Sequence, residues 1–151
     1  KNNDGRKRLI DKDEIDGVIK QSAKMKAEIE ANNLAMVEHV REISRQAVSL
    51  LNEDLEDMGL ISTFQDGEFY PCFHIKKYGC PYGIRFEYAL SSENVYLPDK
   101  DSIYKKVKVK YLSVSSNWMY SSTSFDTLED ALNDDRVKDS IRNLYSVKIK
   151  S

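Results

Sequence analysis

Hydrophobic and polar residues alternate along the segment from Phe69 to Tyr111, with a period of two residues. Such alternation predicts β-strands with one buried face and one solvated face. A glycine-containing turn, Tyr78–Gly83, and a longer loop, Ser91–Ser102, divide the segment into three strands. The positions predicted to face the core are Phe69, Phe73, Ile75, Ile84, Phe86, Tyr88, Leu90, Val107, Val109 and Tyr111.

The opposite face of these strands is predicted to be basic and rich in tyrosine. If the strands pair as a meander, its members are Tyr70, His74, Lys76, Arg85, Tyr104, Lys106, Lys108 and Lys110. Because lysines bind phosphates and aromatic rings stack on bases, these eight residues are the candidate site for a nucleic acid. An acidic protein partner fits the same residues. A plain solvated face is the competing interpretation, since lysine protects exposed strands and tyrosine is a good strand former.

The segment from Asp11 to Asp57 contains no proline and is dominated by helix-forming residues, with apolar residues three and four apart. It predicts one helix of about 45 residues, or two shorter helices with a turn at Asn32-Asn33. One heptad position is mostly apolar, at Ile15, Ile29, Met36, Ile43 and Leu50. The companion position becomes polar after Met25, which a strict coiled coil does not tolerate. We therefore expect residues 36–58 to pack on the sheet, with the helix offering a surface for a homodimer.

The rest of the chain completes an α+β fold. Leu60–Gln65 is predicted to be the first strand, with Asp66-Gly67 as a two-residue hairpin turn. The alternation falters at Leu112, and Trp118–Tyr120 is predicted to be a last short strand. C-terminal helices follow, the first of them capped by Asp126 or Thr127. The fold class is thus a long N-terminal helix or helical hairpin packed on an antiparallel meander sheet of four to five strands, with C-terminal helices.

Three stretches are expected along the chain. Residues 1–10 form a flexible basic N-terminus, residues 11–58 a helical segment, and residues 59–151 the sheet with its C-terminal helices. The last stretch is expected to form one globular unit with residues 36–58. Because the sequence starts at Lys1, we also expect it to be a trimmed chain or a fragment of a longer protein.

Composition excludes several classes of protein. The chain has 151 residues, of which 40% are hydrophobic and 32% charged, and no apolar run is long enough to cross a membrane. A formal net charge of −2 argues against a uniformly basic nucleic-acid binder. Charge is uneven, however: residues 1–60 hold 10 basic and 13 acidic residues, whereas residues 61–122 hold 8 basic and 6 acidic ones. The predicted sheet is therefore the more basic part.

Signatures of catalysis or metal binding are weak. Cys72 lies about 16 Å along its strand from the turn that holds Cys80, too far for a disulfide, which needs Cα atoms within about 7 Å. Free thiols favour a reducing, cytoplasmic location. Cys72, His74 and Cys80 lack a fourth ligand for zinc, and the six glycines form no phosphate-binding loop. We therefore expect no cofactor, no metal and no enzymatic activity.

The sequence predicts a non-enzymatic binding or accessory protein. In one version it associates with nucleic acid through the basic, tyrosine-rich sheet face, as accessory proteins of mobile elements do. In the other it is a protein-binding modulator or inhibitor of the phage or plasmid type, acting through the helix or the sheet face. A homodimer through the N-terminal helix is compatible with both versions, and no membrane partner is expected.

Overall fold

The computed structural model describes residues 8–67, 70–99 and 103–149. The helices are α1 (Lys12–Leu55), α2 (Leu128–Asn133) and α3 (Asp135–Ser146), with a 3-10 turn at Glu56–Met58. The strands are β1 (Leu60–Gln65), β2 (Cys72–Lys77), β3 (Gly83–Tyr96), β4 (Ile103–Ser116) and β5 (Thr123–Phe125). They form one antiparallel sheet in the order β1-β2-β3-β4-β5. The predicted α+β fold with a meander sheet is confirmed.

Helix α1 is continuous, so the alternative of two helices with a turn at Asn32-Asn33 is wrong. Its start is set by Asp11, whose carboxylate accepts hydrogen bonds from the backbone N–H groups of Asp13 and Glu14. The 3-10 turn after it is followed by Gly59, which caps it in the left-handed backbone conformation, with φ of 66°.

The chain divides into two compact units. The first consists of Lys1–Leu34 with Ser92–Val107, and the second of Ala35–Ser91 with Lys108–Ser151. Each unit thus combines segments that are distant in the sequence. The flexible basic N-terminus expected for residues 1–10 lies mainly outside the described residues.

The hydrophobic core belongs to the second unit and is built by strands and helices together. The rings of Phe73 and Phe86, which face each other across β2 and β3, are stacked with centroids 4.9 Å apart. The other buried members of this core are Ala47, Leu51, Leu55, Leu60, Ile75, Ile84, Leu112, Val114, Ala131, Val137 and Leu144. Burying each large apolar side chain contributes about 1.5–3 kcal/mol. The prediction that Phe73, Ile75, Ile84 and Phe86 face inward is confirmed.

Strand boundaries differ from the prediction at two connections. Strand β2 begins at Cys72, because Pro71 has no N–H group to donate to a neighbouring strand. Six residues therefore link β1 to β2, and the predicted two-residue turn at Asp66-Gly67 is wrong. The predicted loop Ser91–Ser102 is also too long, since β3 continues to Tyr96.

In the C-terminal part of the chain, the structure differs from the prediction at one strand. Trp118–Tyr120 lies in the connection between β4 and β5, not in a strand. Helix α2 is capped by Thr127, whose hydroxyl accepts a hydrogen bond from the N–H of Asp130 at 3.1 Å. Asp134 caps α3 in the same way, accepting from the N–H of Arg136 at 2.9 Å.

Two asparagines of α1 each bind a strand backbone through both ends of the side-chain amide. In the first unit, Asn33 donates to the carbonyl of Lys105 at 2.8 Å and accepts from the N–H of Val107 at 2.9 Å. In the second unit, Asn52 donates to the carbonyl of Ser62 at 3.1 Å and accepts from its N–H at 2.7 Å. The amide reproduces the donor and acceptor pair of a peptide group, which explains this arrangement.

Candidate binding face of the sheet

Strands β2 and β3 bring His74, Lys76 and Arg85 together on one surface of the second unit. His74 lies directly opposite Arg85 in the antiparallel pairing, and Lys76 lies two residues along β2 on the same side. All three alternate with the fully buried residues Ile75, Ile84 and Phe86, so their side chains point away from the core. Lys76 and Arg85 are exposed, and His74 is half-buried. We call these three residues the basic patch.

The charges of the basic patch act on one another. Burial lowers the pKa of His74 below its ordinary value of 6.5, and the positive charges of Lys76 and Arg85 lower it further. The imidazole is therefore held neutral by a cationic surrounding. A bound anion would offset the two neighbouring charges and raise the pKa of His74 again.

Arg85 is positioned by an acidic neighbour. Its guanidinium donates from Nε and from one terminal nitrogen to the same oxygen of Glu87, and this hydrogen bond raises the pKa of Arg85. Glu87 lies opposite Cys72, whose buried thiol has its pKa raised chiefly by desolvation. Cys72 and Cys80 are both free thiols, as predicted. Lys76 is consequently the patch residue whose charge is most available to a partner.

Other predicted site residues lie elsewhere. Tyr70 is exposed but precedes β2, so it is not part of a strand. Tyr104 and Lys106 belong to the first unit, where the ring of Tyr104 packs under the ammonium of Lys26, 5.3 Å from its centroid. A side-chain hydrogen bond with Tyr104 raises the pKa of Lys26 above its ordinary value. Tyr104 is thus engaged with α1 within its own unit.

Lys108 and Lys110 lie on β4 in the second unit, and both are exposed. Along β4, the less exposed residues are Val107, Val109 and Tyr111 and then Leu112 and Val114, so the alternation shifts by one residue at Leu112. This is where the sequence predicted the alternation to falter. Lys110 also lines a shallow concavity with Asp126 and Asp130. These carboxylates reduce the attraction of Lys110 for an anion, which leaves the basic patch as the better part of the predicted site.

The eight-residue list omitted aromatic residues that the structure exposes beside the basic patch. Tyr78 and Tyr82 lie in the turn that connects β2 to β3, and Tyr82 contacts Trp118. The sequence predicts a turn at these two tyrosines, but an alternation of period two says nothing about where turn residues point. The signal that could have identified them is the occurrence of tyrosines between the glycines of the turn Tyr78–Gly83.

Within residues 8–67, 70–99 and 103–149, no three or more histidine, cysteine, aspartate or glutamate side chains converge as a metal site would require. Within the same residues, no helix combines the length and the apolarity needed to span a bilayer.

Comparison of the chain with protein families, with curated proteins and with solved structures finds no match.

Proposed function

We propose that this chain is a non-enzymatic binding protein that contacts nucleic acid through the basic patch. The observation that supports the proposal most directly is the cross-strand pairing of His74 with Arg85, with Lys76 beside them on the solvated side of β2. Side chains two apart on a strand are about 6.6 Å apart, so a row of cations can meet successive phosphates.

The arrangement of the patch favours an anion over a neutral partner. Lys76 is exposed, and His74 gains a proton when negative charge arrives because its pKa is held low by its cationic neighbours. Protonation of His74 would thus add a third positive charge on binding. An acidic protein surface would use the same chemistry, and the experiment below separates the two partners.

The proposal is tested by fluorescence anisotropy with labelled DNA and RNA at several salt concentrations. We expect binding at low salt and a linear fall of log K with log salt, since each neutralised phosphate releases counterions. Lys76→Gln should lower the slope by about one unit and weaken binding to every sequence by a similar factor. Lys108→Gln with Lys110→Gln measures separately what β4 contributes.

A matched control keeps the loss of charge but moves it to another surface. Lys20 and Lys24 are exposed residues of α1 in the first unit, and glutamine suits a helix. Lys20→Gln, which removes one charge as Lys76→Gln does, should leave the affinity near that of the wild type, and Lys20→Gln with Lys24→Gln is the matching control for the double variant of β4. If this control weakens binding as much as Lys76→Gln does, net charge and not the patch is responsible. If no nucleic acid binds at low salt, the proposal is wrong and an acidic protein becomes the expected partner.

We further propose that the first unit's helix mediates a homodimer. Ile15, Val18 and Ile19 are 50%, 36% and 56% exposed. Their spacing of three and four residues places them on the helical face that further along buries Ser22 and Ile29. This helical face, apolar except for Ser22, thus extends from buried to exposed helix, and the same face of a second copy would cover the exposed part.

Sedimentation of the wild type over a range of concentrations tests the homodimer. Ile15→Gln with Ile19→Gln should shift the equilibrium to monomer. Leu34→Gln changes a residue that is 72% exposed on another side of the helix and should have no effect. A wild type that stays monomeric at the highest concentration contradicts this proposal and leaves the nucleic-acid proposal untouched.

A further inference from the structure

Two connections at one end of the second unit's sheet carry four aromatic side chains, three of them exposed and one, Trp118, partly buried against the core. One connection joins β2 to β3 and holds Tyr78 and Tyr82, and the other joins β4 to β5 and holds Trp118 and Tyr120. The rings of Tyr82 and Trp118 meet edge to face, with centroids 6.3 Å apart and an interplanar angle of 79°. Tyr78 and Tyr120 are almost fully exposed. We call these four residues the aromatic tip.

The β2–β3 connection is held in place by the C-terminal segment. Lys77 donates from Nζ to the backbone carbonyls of Tyr145 and Val147, both at 2.6 Å. Gly79 has φ of 81°, and a Cβ at this position would lie 2.9 Å from Cγ2 of Ile149. Glycine is therefore needed both for the turn and for this close approach. A braced connection loses little conformational entropy when a ligand binds.

The two connections that carry the aromatic tip contain no acidic residue. Residues 76–83 contain two lysines and no acidic residue, and residues 117–122 contain no charged residue. Lys76 pairs with Gly83 at the foot of the β2–β3 connection, so the basic patch leads directly to the tip. The acidic residues of positions 53–57 precede β1, the outermost strand on the side away from β4 and β5.

We propose that the aromatic tip binds unpaired bases of a single-stranded nucleic acid while its phosphates contact Lys76 and Arg85. This inference rests on the proposed function and adds to it the kind of nucleic acid bound. Exposed tyrosine faces beside lysine form a stacking platform for bases. Bases of a duplex are already stacked on one another, so they gain nothing from the tip. Glycine and serine neighbours, Gly79, Ser121 and Ser122, keep the rings of Tyr78 and Tyr120 accessible.

Trp118 is the single tryptophan of the chain and therefore reports on the tip directly. The experiment titrates the protein with an oligothymidine of about 12 nucleotides, a length within the range of single-strand sites, and with a duplex of the same length. We expect the fluorescence of Trp118 to be quenched by the single strand and the single strand to bind at least about tenfold more tightly than the duplex. Each of Tyr78→Ala and Tyr120→Ala should weaken single-strand binding by about 5- to 150-fold and leave duplex binding unchanged.

Matched variants separate stacking from other causes. Tyr82→Phe keeps the ring and should bind as the wild type does. Tyr96→Ala removes an exposed tyrosine of the first unit and should have no effect on binding. Tyr78 and Tyr120 lie outside the core, so their loss should leave the unfolding transition unchanged, which denaturation checks.

The two proposals fail in different ways. If Lys76→Gln weakens binding but the alanine variants of the tip do not, and duplex and single strand bind equally, the stacking inference is wrong and the proposed function stands. If neither oligonucleotide binds at low salt, both are wrong. Quenching of Trp118 without any loss of affinity in Tyr78→Ala and Tyr120→Ala also contradicts the inference.

Discussion

The two units of this chain are stabilised by different interactions. The second unit has a core of fully buried side chains, among them Phe73, Phe86 and Leu144. In the first unit, hydrogen bonds between side chains of α1 and backbone groups are prominent. Ser22 accepts from the N–H of Asp99 at 3.0 Å, and Asn33 binds the backbone of β4 at two points. Polar contacts of this kind add less stability than apolar burial. We infer that the first unit opens at a lower free energy than the second.

Substituting one buried residue in each unit by alanine should give the largest difference in the free energy of unfolding. Phe86→Ala removes half of the stacked ring pair and should lower the free energy of global unfolding by about 3–5 kcal/mol. Ile29→Ala in the first unit should lower it less, because that unit already opens before the global transition. Denaturant unfolding measures the first effect, and hydrogen exchange of residues 92–99 and 103–107 measures the second. An equal global loss in both variants would show that the units unfold as one.

The two asparagines offer a matched pair of intermediate effect. Asn52→Ala leaves the partly buried N–H and carbonyl of Ser62 without these bonds and should cost about 1–3 kcal/mol of global stability. Asn33→Ala should cost about 0.5–1.5 kcal/mol, expressed as faster exchange of the Val107 amide. Urea unfolding and hydrogen exchange distinguish these outcomes. A larger global loss for Asn33→Ala would reverse the ranking of the units.

Two glycines with open surroundings should give effects of opposite sign. Gly59 has φ of 66°, so Gly59→Ala should destabilise the second unit by about 1–2 kcal/mol. Gly17 lies inside α1 without such a conformation, so Gly17→Ala should stabilise the helix locally by about 0.5–1 kcal/mol. Thermal unfolding reports the first change, and exchange rates of the α1 amides report the second. Destabilisation by Gly17→Ala would mean that another group approaches that backbone closely.

The smallest predicted effect is a dependence of stability on pH. Both histidines lie in the second unit, and the pKa of His74 is lowered below 6.5 by burial and by Lys76 and Arg85. The unfolded state therefore binds a proton more readily than the folded state does. The contribution of His74 to stability is complete above pH 6.5 and is lost as the pH falls through the lower pKa of the folded state.

Unfolding measured at several pH values, together with NMR titration of the imidazole, checks this prediction. His74→Gln should remove the His74 part of the pH dependence. An unchanged dependence in that variant would show that other groups cause it. A folded-state pKa above 6.5 would contradict the described surrounding of His74 directly.

The sequence predicted the elements whose patterns are periodic. The alternation correctly predicted that Phe73, Ile75, Ile84 and Phe86 face inward, because every second side chain of a strand points to the same face of the sheet. The strand Leu60–Gln65 was also predicted correctly. The α+β class followed from these elements.

Other features depend on contacts between distant residues, which no local pattern reports. Asn32-Asn33 resembles a turn in sequence, yet Asn33 stays helical because its amide binds the backbone of Lys105 and Val107. The candidate site was predicted only in part for the same reason. Cross-strand pairing unites His74 with Arg85, whereas Tyr104 is held by Lys26 of the helix. The aromatic tip was missed because its members meet through two separate connections.

The amides of Asn33 and Asn52 have a consequence for how the protein behaves at high concentration. An uncovered sheet edge exposes peptide groups to which the strand of another molecule can add, and this is a route to fibrils. Each of these asparagines occupies such groups: Asn52 on β1, and Asn33 on the part of β4 outside the Leu112–Val114 stretch that pairs with β5. Their substitution would therefore matter for aggregation as well as for folding, because it would free a docking edge that the native chain keeps closed.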